Sequence, residues 1–229
     1  PTSYPRCLHL PMAEKNNSQR LLWAGLVVAL LAIGIYALND WLKSQEITEP
    51  SRIIPVLGAV PEFNLTDQSG KPFGTSDLKG KIYVVDLIFT NCAGTCPMLT
   101  AEMASLQKSL KKTTDVHLVS ISVDPNNDSP EVLAGYAKKY NADLTSWHFL
   151  TGKVSTIYTV AKDGFKMTVD SVSDDIQNPI VHSERFALVD KQGRIRAFYN
   201  GTEPESKEKL LFDIGDLLRE EKKEAEKAQ

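Results

Sequence analysis

Cysteine is nearly missing from this chain: 229 residues hold three, at positions 7, 92 and 96. So few thiols cannot build a disulfide framework. A structural zinc site of paired cysteines is also disfavoured, because no second pair exists beside Cys92 and Cys96. Excess charge of one sign is missing too. Lys and Arg number 26 against 29 Asp and Glu, a net charge of −3, so there is no nucleic-acid footprint. No internal repeat is visible, which removes the solenoid architectures. An apolar content of 42% is that of a globular core and argues against disorder along the whole chain. The length allows one domain plus appendages.

One further absence is local. No charged residue interrupts Leu21–Leu38. At about 1.5 Å per residue, such a helix nearly crosses the roughly 30 Å hydrocarbon layer. Trp23, Tyr36 and Trp41 stand near its ends, as an interfacial belt requires. A cleaved signal peptide has a shorter apolar region and a small-residue cleavage site, and Tyr36-Ala37-Leu38-Asn39 is a poor one. A buried core helix would show a polar face, which is absent. Arg6, Lys15 and Arg20 precede the run, and the mostly acidic Asp40, Lys43, Glu46 and Glu49 follow it. The positive-inside rule then places residues 1–20 in the cytoplasm as a short tail and the rest outside. No Arg- and Ser-rich transit peptide is present, so a bacterial inner membrane, crossed once with the C-terminal domain on the periplasmic side, is favoured over a mitochondrial one. The chain opens on Pro1. Met12 precedes a plausible tail, so residues 1–11 read as translated upstream sequence or a gene-model artefact, and Cys7 carries little weight.

Residues 39–60 read as a linker stiffened by Pro50 and Pro55, with Pro61 at its end. The folded domain is expected over 61–219, starting near Ile53–Val60, with 220–229 a charged, frayed tail. Within the domain, Glu62–Asp67 alternates as a strand does, and Ile82–Phe89 is a continuous apolar run of the buried-strand type. Leu99, Met103, Leu106 and Leu110 recur at helical spacing. Val116–Val123 is a strand, and Ser129-Pro130 opens a helix as N-cap and first-turn proline. Trp147–Leu150 is a short strand and Val154–Val160 a helix. Phe186–Val189 and Ile195–Tyr199 form a hairpin around Asp190–Gly193, predicted as antiparallel edge strands. Lys207–Arg219 shows one apolar face. Strands alternating with helices imply an α/β fold: a thioredoxin-like mixed sheet flanked by helices, behind an N-terminal transmembrane helix.

Cys92 and Cys96 sit directly after the apolar strand and before a helix. Four residues is about one helical turn, so both sulfurs can face one point. A helix N-terminus lowers thiol pKa toward the thiolate that metal binding and disulfide exchange both need. The plainer alternative is a pair of buried, inert cysteines. His182 precedes a core strand. A lone histidine is usually a surface residue, but in a thioredoxin-like layout this loop lies against the cysteine loop. Two thiolates and an imidazole suit copper. His9, His117 and His148 have no such placement; His117 starts a strand and His148 reads as a strand-surface residue.

The segment Phe89-Thr90-Asn91-Cys92-Ala93-Gly94-Thr95-Cys96-Pro97 resembles the CxxxCP signature of the SCO/SenC copper-chaperone family. Val123–Pro130 is similar to that family's DPxxD-T/S-P segment, Trp147–Gly152 to its W-x-FLTG segment, and Val181–Ser183 with Leu188–Gly193 to its third-ligand region. The resemblance runs in order over about Pro61–Leu218. It implies a membrane-anchored thioredoxin-fold metallochaperone, not an enzyme in the turnover sense. It further implies a copper ion, Cu(I) or Cu(II), held by Cys92, Cys96 and His182 and delivered to the dinuclear centre of cytochrome c oxidase. The implied partners are the copper-bearing oxidase subunit and, beyond it, another copper chaperone or a thiol reductase.

Three aspartates stay open between plain and site-linked roles. Asp124 and Asp128 read as a strand-end turn and a helix cap, or as groups beside the copper. Asp86 sits inside an apolar strand, where a carboxylate is costly unless partnered. It belongs to a structural salt bridge or it serves the thiols. The second option keeps a thiol-disulfide oxidoreductase, with Cys92 and Cys96 as the redox pair, as the alternative function. Met98 and Met103 read as helical core rather than thioether ligands.

Overall fold

The computed structural model describes residues 17–44, 53–111, 113–167, 169–170 and 181–227. They belong to two compact units, Pro1–Pro50 and Ser51–Gln229. In the first, helix α1 (Asn17–Ser44) contains a candidate membrane span, Leu21–Asn39, whose side chains are all exposed. A helix apolar on every side has no polar face to offer water, which fits a lipid environment. Cys7 and the rest of the segment before Asn17 lie outside the described residues.

The second unit runs β1 (Gly58–Ala59), β2 (Asn64–Asp67), β3 (Pro72–Gly74), β4 (Ile82–Ile88), α2 (Cys96–Ser109), β5 (Val116–Ser122), α3 (Pro130–Lys139), β6 (Trp147–Thr151), α4 (Val154–Thr159), β7 (Val169–Asp170), β8 (Val181–His182), β9 (Arg185–Val189), β10 (Arg194–Asn200) and α5 (Pro204–Lys227). A π turn over Val160–Gly164 follows α4. Among the described residues one sheet has the order β1-β10-β9-β4-β5-β6-β2-β3, and β7 pairs with β8 separately. β4, β5 and β6 are parallel; β9 and β10 return antiparallel.

Both faces of the sheet are covered, which is why β4, apolar but for Asp86, and β5, which carries His117, Ser120 and Ser122, are buried at every residue. Val85, Leu87 and Phe89 join Val119, Ile121, Leu150, Ile157 and Phe165 on the α4 side. Val84 and Ile88 join Leu99, Met103, Leu106, Leu133, Trp147 and Ile214 under α2, α3 and α5. Alternation along one strand thus feeds two cores. Ser129 caps α3 as predicted, its Oγ accepting from the Val132 N–H at 3.4 Å, with Pro130 in the first turn.

Three expectations are corrected. The final hairpin is not the sheet edge: β1 pairs outside β10, and Ile54 is buried in the core. The chain before Pro61 is therefore part of the domain's packing. Helix α5 does not fray after Arg219 but continues to Lys227. Both changes share a cause, the buried Arg196. Its Nε and Nη2 donate to the Ile54 carbonyl at 3.1 and 2.6 Å, its Nη1 to Asp190 at 2.9 Å and its Nη2 to Glu220 at 2.9 Å. One planar guanidinium satisfies three elements at once, a geometry open to Arg and not to Lys. The third correction concerns His148, which is half-buried rather than a surface residue. It is stacked between Phe73 (4.3 Å between ring centres) and His117 (5.7 Å).

Two measurements test this packing. Arg196→Met leaves Asp190 buried without its inner cation and should cost about 3–5 kcal/mol of unfolding free energy in urea. The second is a pH profile. Burial first, then Lys81 and His148, hold His117 down to about 4, while Asp115 pulls the other way. An unfolded imidazole titrates near 6.5, so the unfolded chain binds the proton first. Stability should therefore fall as pH drops from about 6.5 toward 4, and His117→Phe should flatten that part of the profile. An unchanged slope in the variant would assign the acid loss to other groups.

Candidate metal centre

The last turn of β4 delivers the chain to the site. Beyond Phe89 the backbone folds over, and the Cys92 N–H donates to the Phe89 carbonyl at 3.3 Å. Asn91–Thr95 forms a turn. The Gly94 N–H donates to Cys92 Sγ at 3.4 Å. Helix α2 starts at Cys96, with Pro97 in its first turn, where a missing N–H costs nothing. Met98 and Leu99 donate to the Thr95 carbonyl at 2.9 and 3.1 Å.

Cys92 and Cys96 stand as thiols that hydrogen-bond to one another. They do not meet as two residues on one helical turn, as their spacing suggested. Only Cys96 belongs to the helix, and the preceding turn curls Cys92 back over it. Their environments differ: Cys96 is fully buried and Cys92 is half-exposed. The expected lowering by the helix end is overturned at Cys96. Burial first, then the hydrogen bond to Cys92, push its thiol far up, with Asp86 adding to the rise and a backbone hydrogen bond at Phe89 opposing it. Desolvation outweighs the helix dipole because Cys96, although the first residue of α2, is sealed from solvent. Such a sulfur becomes a thiolate when a cation replaces its proton, and metal binding then releases that proton.

Asp86 is wholly buried. Among the described residues it forms no salt bridge, contrary to the plainer expectation. Its Oδ1 accepts from Ser120 Oγ at 2.6 Å, across the β4–β5 register, and the Trp147 indole N–H donates to the same hydroxyl at 2.9 Å. Its Oδ2 has no hydrogen-bond partner among the described residues. Burial raises its pKa to about 7, with the Ser120 bond opposing. Asp124 keeps the turn role: its carbonyl accepts from Asn127 and Asp128 N–H groups and its Oδ2 from the Asn127 amide at 2.8 Å. Asp128 is not the helix cap, since Ser129 fills that place. Its carboxylate instead accepts from Ser122 Oγ and from both the N–H and the hydroxyl of Thr90.

His182 lies in β8, level with Val169 on β7, and its side chain is outside what is described. Accordingly, among the described residues no three His, Cys, Asp or Glu side chains form a metal cluster. Met98 departs from expectation. It is 55% exposed beside the site, while Met103 is buried core as expected. Thr90 and Trp147 fell inside motif segments, but the sequence assigned no role to them or to Ser120 and Ser122, because hydroxyls and an indole acquire roles here only through long-range pairing.

The buried carboxylate carries a sign that can be measured. A folded pKa raised to about 7, against about 3.8 in the unfolded chain, means Asp86 is held protonated in the native state below 7. That contribution is complete below about 4 and is lost as pH rises through 7. Asp86→Asn should therefore be relatively more stable than the parent at pH 8.5 than at pH 5.5, read from urea unfolding at the two values.

Comparison with known proteins follows the same outline. A family model described as SCO1/SenC matches residues 57–219. A Bacillus subtilis protein named "SCO1 protein homolog" is 37% identical over 162 residues, 70% of this chain and 83% of its own length. The solved structure of BsSco, described as a member of the Sco family of cytochrome c oxidase assembly proteins with a disulfide switch, is 36% identical. That match has a TM-score of 0.61 and covers 71% of this chain and 95% of that one. Bradyrhizobium japonicum ScoI, solved with copper bound, is 26% identical, with a TM-score of 0.58 over 70% of this chain and 98% of that one.

Proposed function

The chain belongs to the SCO1/SenC family, and from that premise we propose that it is a membrane-anchored copper metallochaperone. Copper is its cargo, held by the sulfurs of Cys92 and Cys96 and by the His182 imidazole, and passed to the dinuclear copper centre of cytochrome c oxidase or used in maturing it. The observation that carries this reading is the pair of thiols, hydrogen-bonded to one another, at the β4–α2 junction. Soft thiolates with one imidazole select copper, and three donors leave room for ligand exchange with a receiving protein. The copper-bound relative supports the cargo, and the oxidase-assembly description of BsSco supports the destination.

Backbone register supports His182 as third donor. β9 runs antiparallel to β4 with Val85 opposite Ala187, so continuing that register sets Arg185 level with Leu87, at the strand end that leads into the cysteine turn. The Gly201 N–H donates to the Glu184 carbonyl at 2.8 Å, and a Cβ at Gly201 would come within 2.4 Å of Leu99 on α2. The residues just after His182 thus approach the helix that starts at Cys96. In this reading residues 21–38 anchor the domain to a bacterial inner membrane, the residues between that span and Ile53 link it, and the domain, which takes in Ile54 and β1, faces the periplasm. The oxidase's copper-bearing subunit is the client, and a second chaperone or a thiol reductase supplies copper or electrons.

A second reading, a thiol-disulfide oxidoreductase acting on extracytoplasmic cysteines, draws on Asp86 near the thiols and on the disulfide switch described for BsSco. The two roles share one requirement, since copper binds only the dithiol.

Bathocuproine competition on the reduced chain separates them. The parent should hold one copper per chain. Cys92→Ser and Cys96→Ser should abolish tight binding, and His182→Ala should weaken it about tenfold or more, roughly 1.4 kcal/mol, while the Cys92–Cys96 disulfide still forms. Unchanged copper affinity in His182→Ala would remove that residue from the site. A reduced parent chain that binds no copper would leave the oxidoreductase.

A further inference from the structure

Asp128 is a buried carboxylate that joins the end of β5, at Ser122, to the approach to the cysteine turn, at Thr90. It lies in the β5–α3 connection, fully buried, and no cation pairs with it among the described residues. Its Oδ2 accepts from Ser122 Oγ at 2.5 Å and from the Thr90 N–H at 3.1 Å, and its Oδ1 accepts from the Thr90 hydroxyl. Hydrogen bonds to an ionised acceptor are stronger than neutral ones, and burial strengthens them further. The carboxylate is itself held in place. The Asp128 N–H donates to the Asp124 carbonyl at 2.9 Å, and the Asp124 N–H donates to Ser122 Oγ at 3.1 Å. The Val123 N–H in turn donates to the Ile88 carbonyl at 2.9 Å, which ties this connection to the end of β4.

Thr90 is two residues before Cys92. The turn that carries both sulfurs has two ends. Its far end, Cys96, is immobilised in the core as the first residue of α2. Its near end leaves the sheet after Ile88, where the parallel ladder stops, and the hydrogen bonds from Thr90 to Asp128 are the side-chain tether there. Where Cys92 Sγ stands relative to the fixed Cys96 Sγ therefore depends on where Thr90 is held.

We propose that Asp128 is the positioning residue of the dithiol. By clamping Thr90 across the two loops, it sets the effective concentration of the Cys92 sulfur at Cys96, and so sets both the tendency to close the disulfide and the chelating strength of the pair. The proposal deepens the copper reading and takes from it only the identity of the two sulfurs. A preorganised pair gains in every two-sulfur reaction because the ordering cost is already met.

The test uses the full chain in detergent micelles, free of metal, equilibrated with mixtures of reduced and oxidised dithiothreitol. Closure removes two protons and two electrons from Cys92 and Cys96 as their S–S bond forms, and the same electrons and protons open the disulfide of oxidised dithiothreitol to its dithiol. Asp128→Asn should lower the closure constant about tenfold, about 30 mV for a two-electron couple, and weaken copper binding in the same direction. Thr90→Val, which keeps the N–H and loses the hydroxyl, should shift it part of the way, and Thr90→Ser should match the parent. Asp190→Asn, a buried carboxylate that bonds Arg194 and Arg196 instead, should lower stability and leave the constant unchanged.

A parental constant in folded Asp128→Asn would overturn the proposal, as would an equal shift in Asp190→Asn or no shift in Thr90→Val. If Asp128→Asn does not fold, Thr90→Val and Thr90→Ser carry the test alone under the same criteria. The closure constant is read without copper. A chain that fails to bind copper yet shows these shifts would sink the cargo reading and leave the positioning role standing.

Discussion

The parallel pairing of β4 with β5 is the constraint on which the site depends. Its seven residue pairs, from Ile82 opposite Val116 to Ile88 opposite Ser122, bring both strands to an end at the same level. A parallel sheet has all its strand ends of one sense along one edge, and the loops leaving them are forced side by side. Here those loops are the cysteine turn and the Asp124–Ser129 connection. Each has short-range turn hydrogen bonds of its own. Each is shaped by the other, through Asp128 on Thr90 and Val123 on Ile88.

Polar groups inside this sheet are treated in two ways, and the contrast carries functional content. Asp190 and Asp128 are saturated. The first meets two guanidinium groups and backbone N–H donors; the second meets two hydroxyls and an amide. Asp86 is not saturated: among the described residues one oxygen has no hydrogen-bond partner, and burial raises its pKa to about 7. A half-satisfied buried carboxylate costs stability relative to an apolar residue of the same shape. It is close enough to Cys96 to help push that thiol upward, and unlike Asp128 it is not committed to holding loops together.

Much of the architecture is visible in the residue pattern for simple reasons. β4 is buried on both faces and so is apolar at every position but Asp86. α2 shows Leu99, Met103 and Leu106 at its core spacing, and Ser129-Pro130 marks the start of α3 by side-chain capping and ring geometry. Elements whose existence depends on a partner far away were not visible. β1 is two residues long and is a strand only because β10 offers an edge. The helical course of 220–227 follows a charged sequence that suggests fraying; Glu220, at its start, meets Arg196. The burial of His117 and His148 arises from a stack with Phe73 that joins three strands.

The site divides along the same line. Local sequence by itself determined that two thiols stand at a strand-to-helix junction, that the helix opens on Cys96-Pro97, and that an apolar segment long enough for a bilayer precedes the domain. These are short-range properties of spacing, ring geometry and hydropathy. Only the tertiary structure decided that Cys96 is sealed in the core while Cys92 stays half-exposed, that Met98 faces solvent, and that Asp128 reaches Thr90 instead of capping a helix. Burial and long-range hydrogen bonds depend on what packs against a residue from elsewhere in the chain. The same spacing of cysteines has a different chemistry under a different roof.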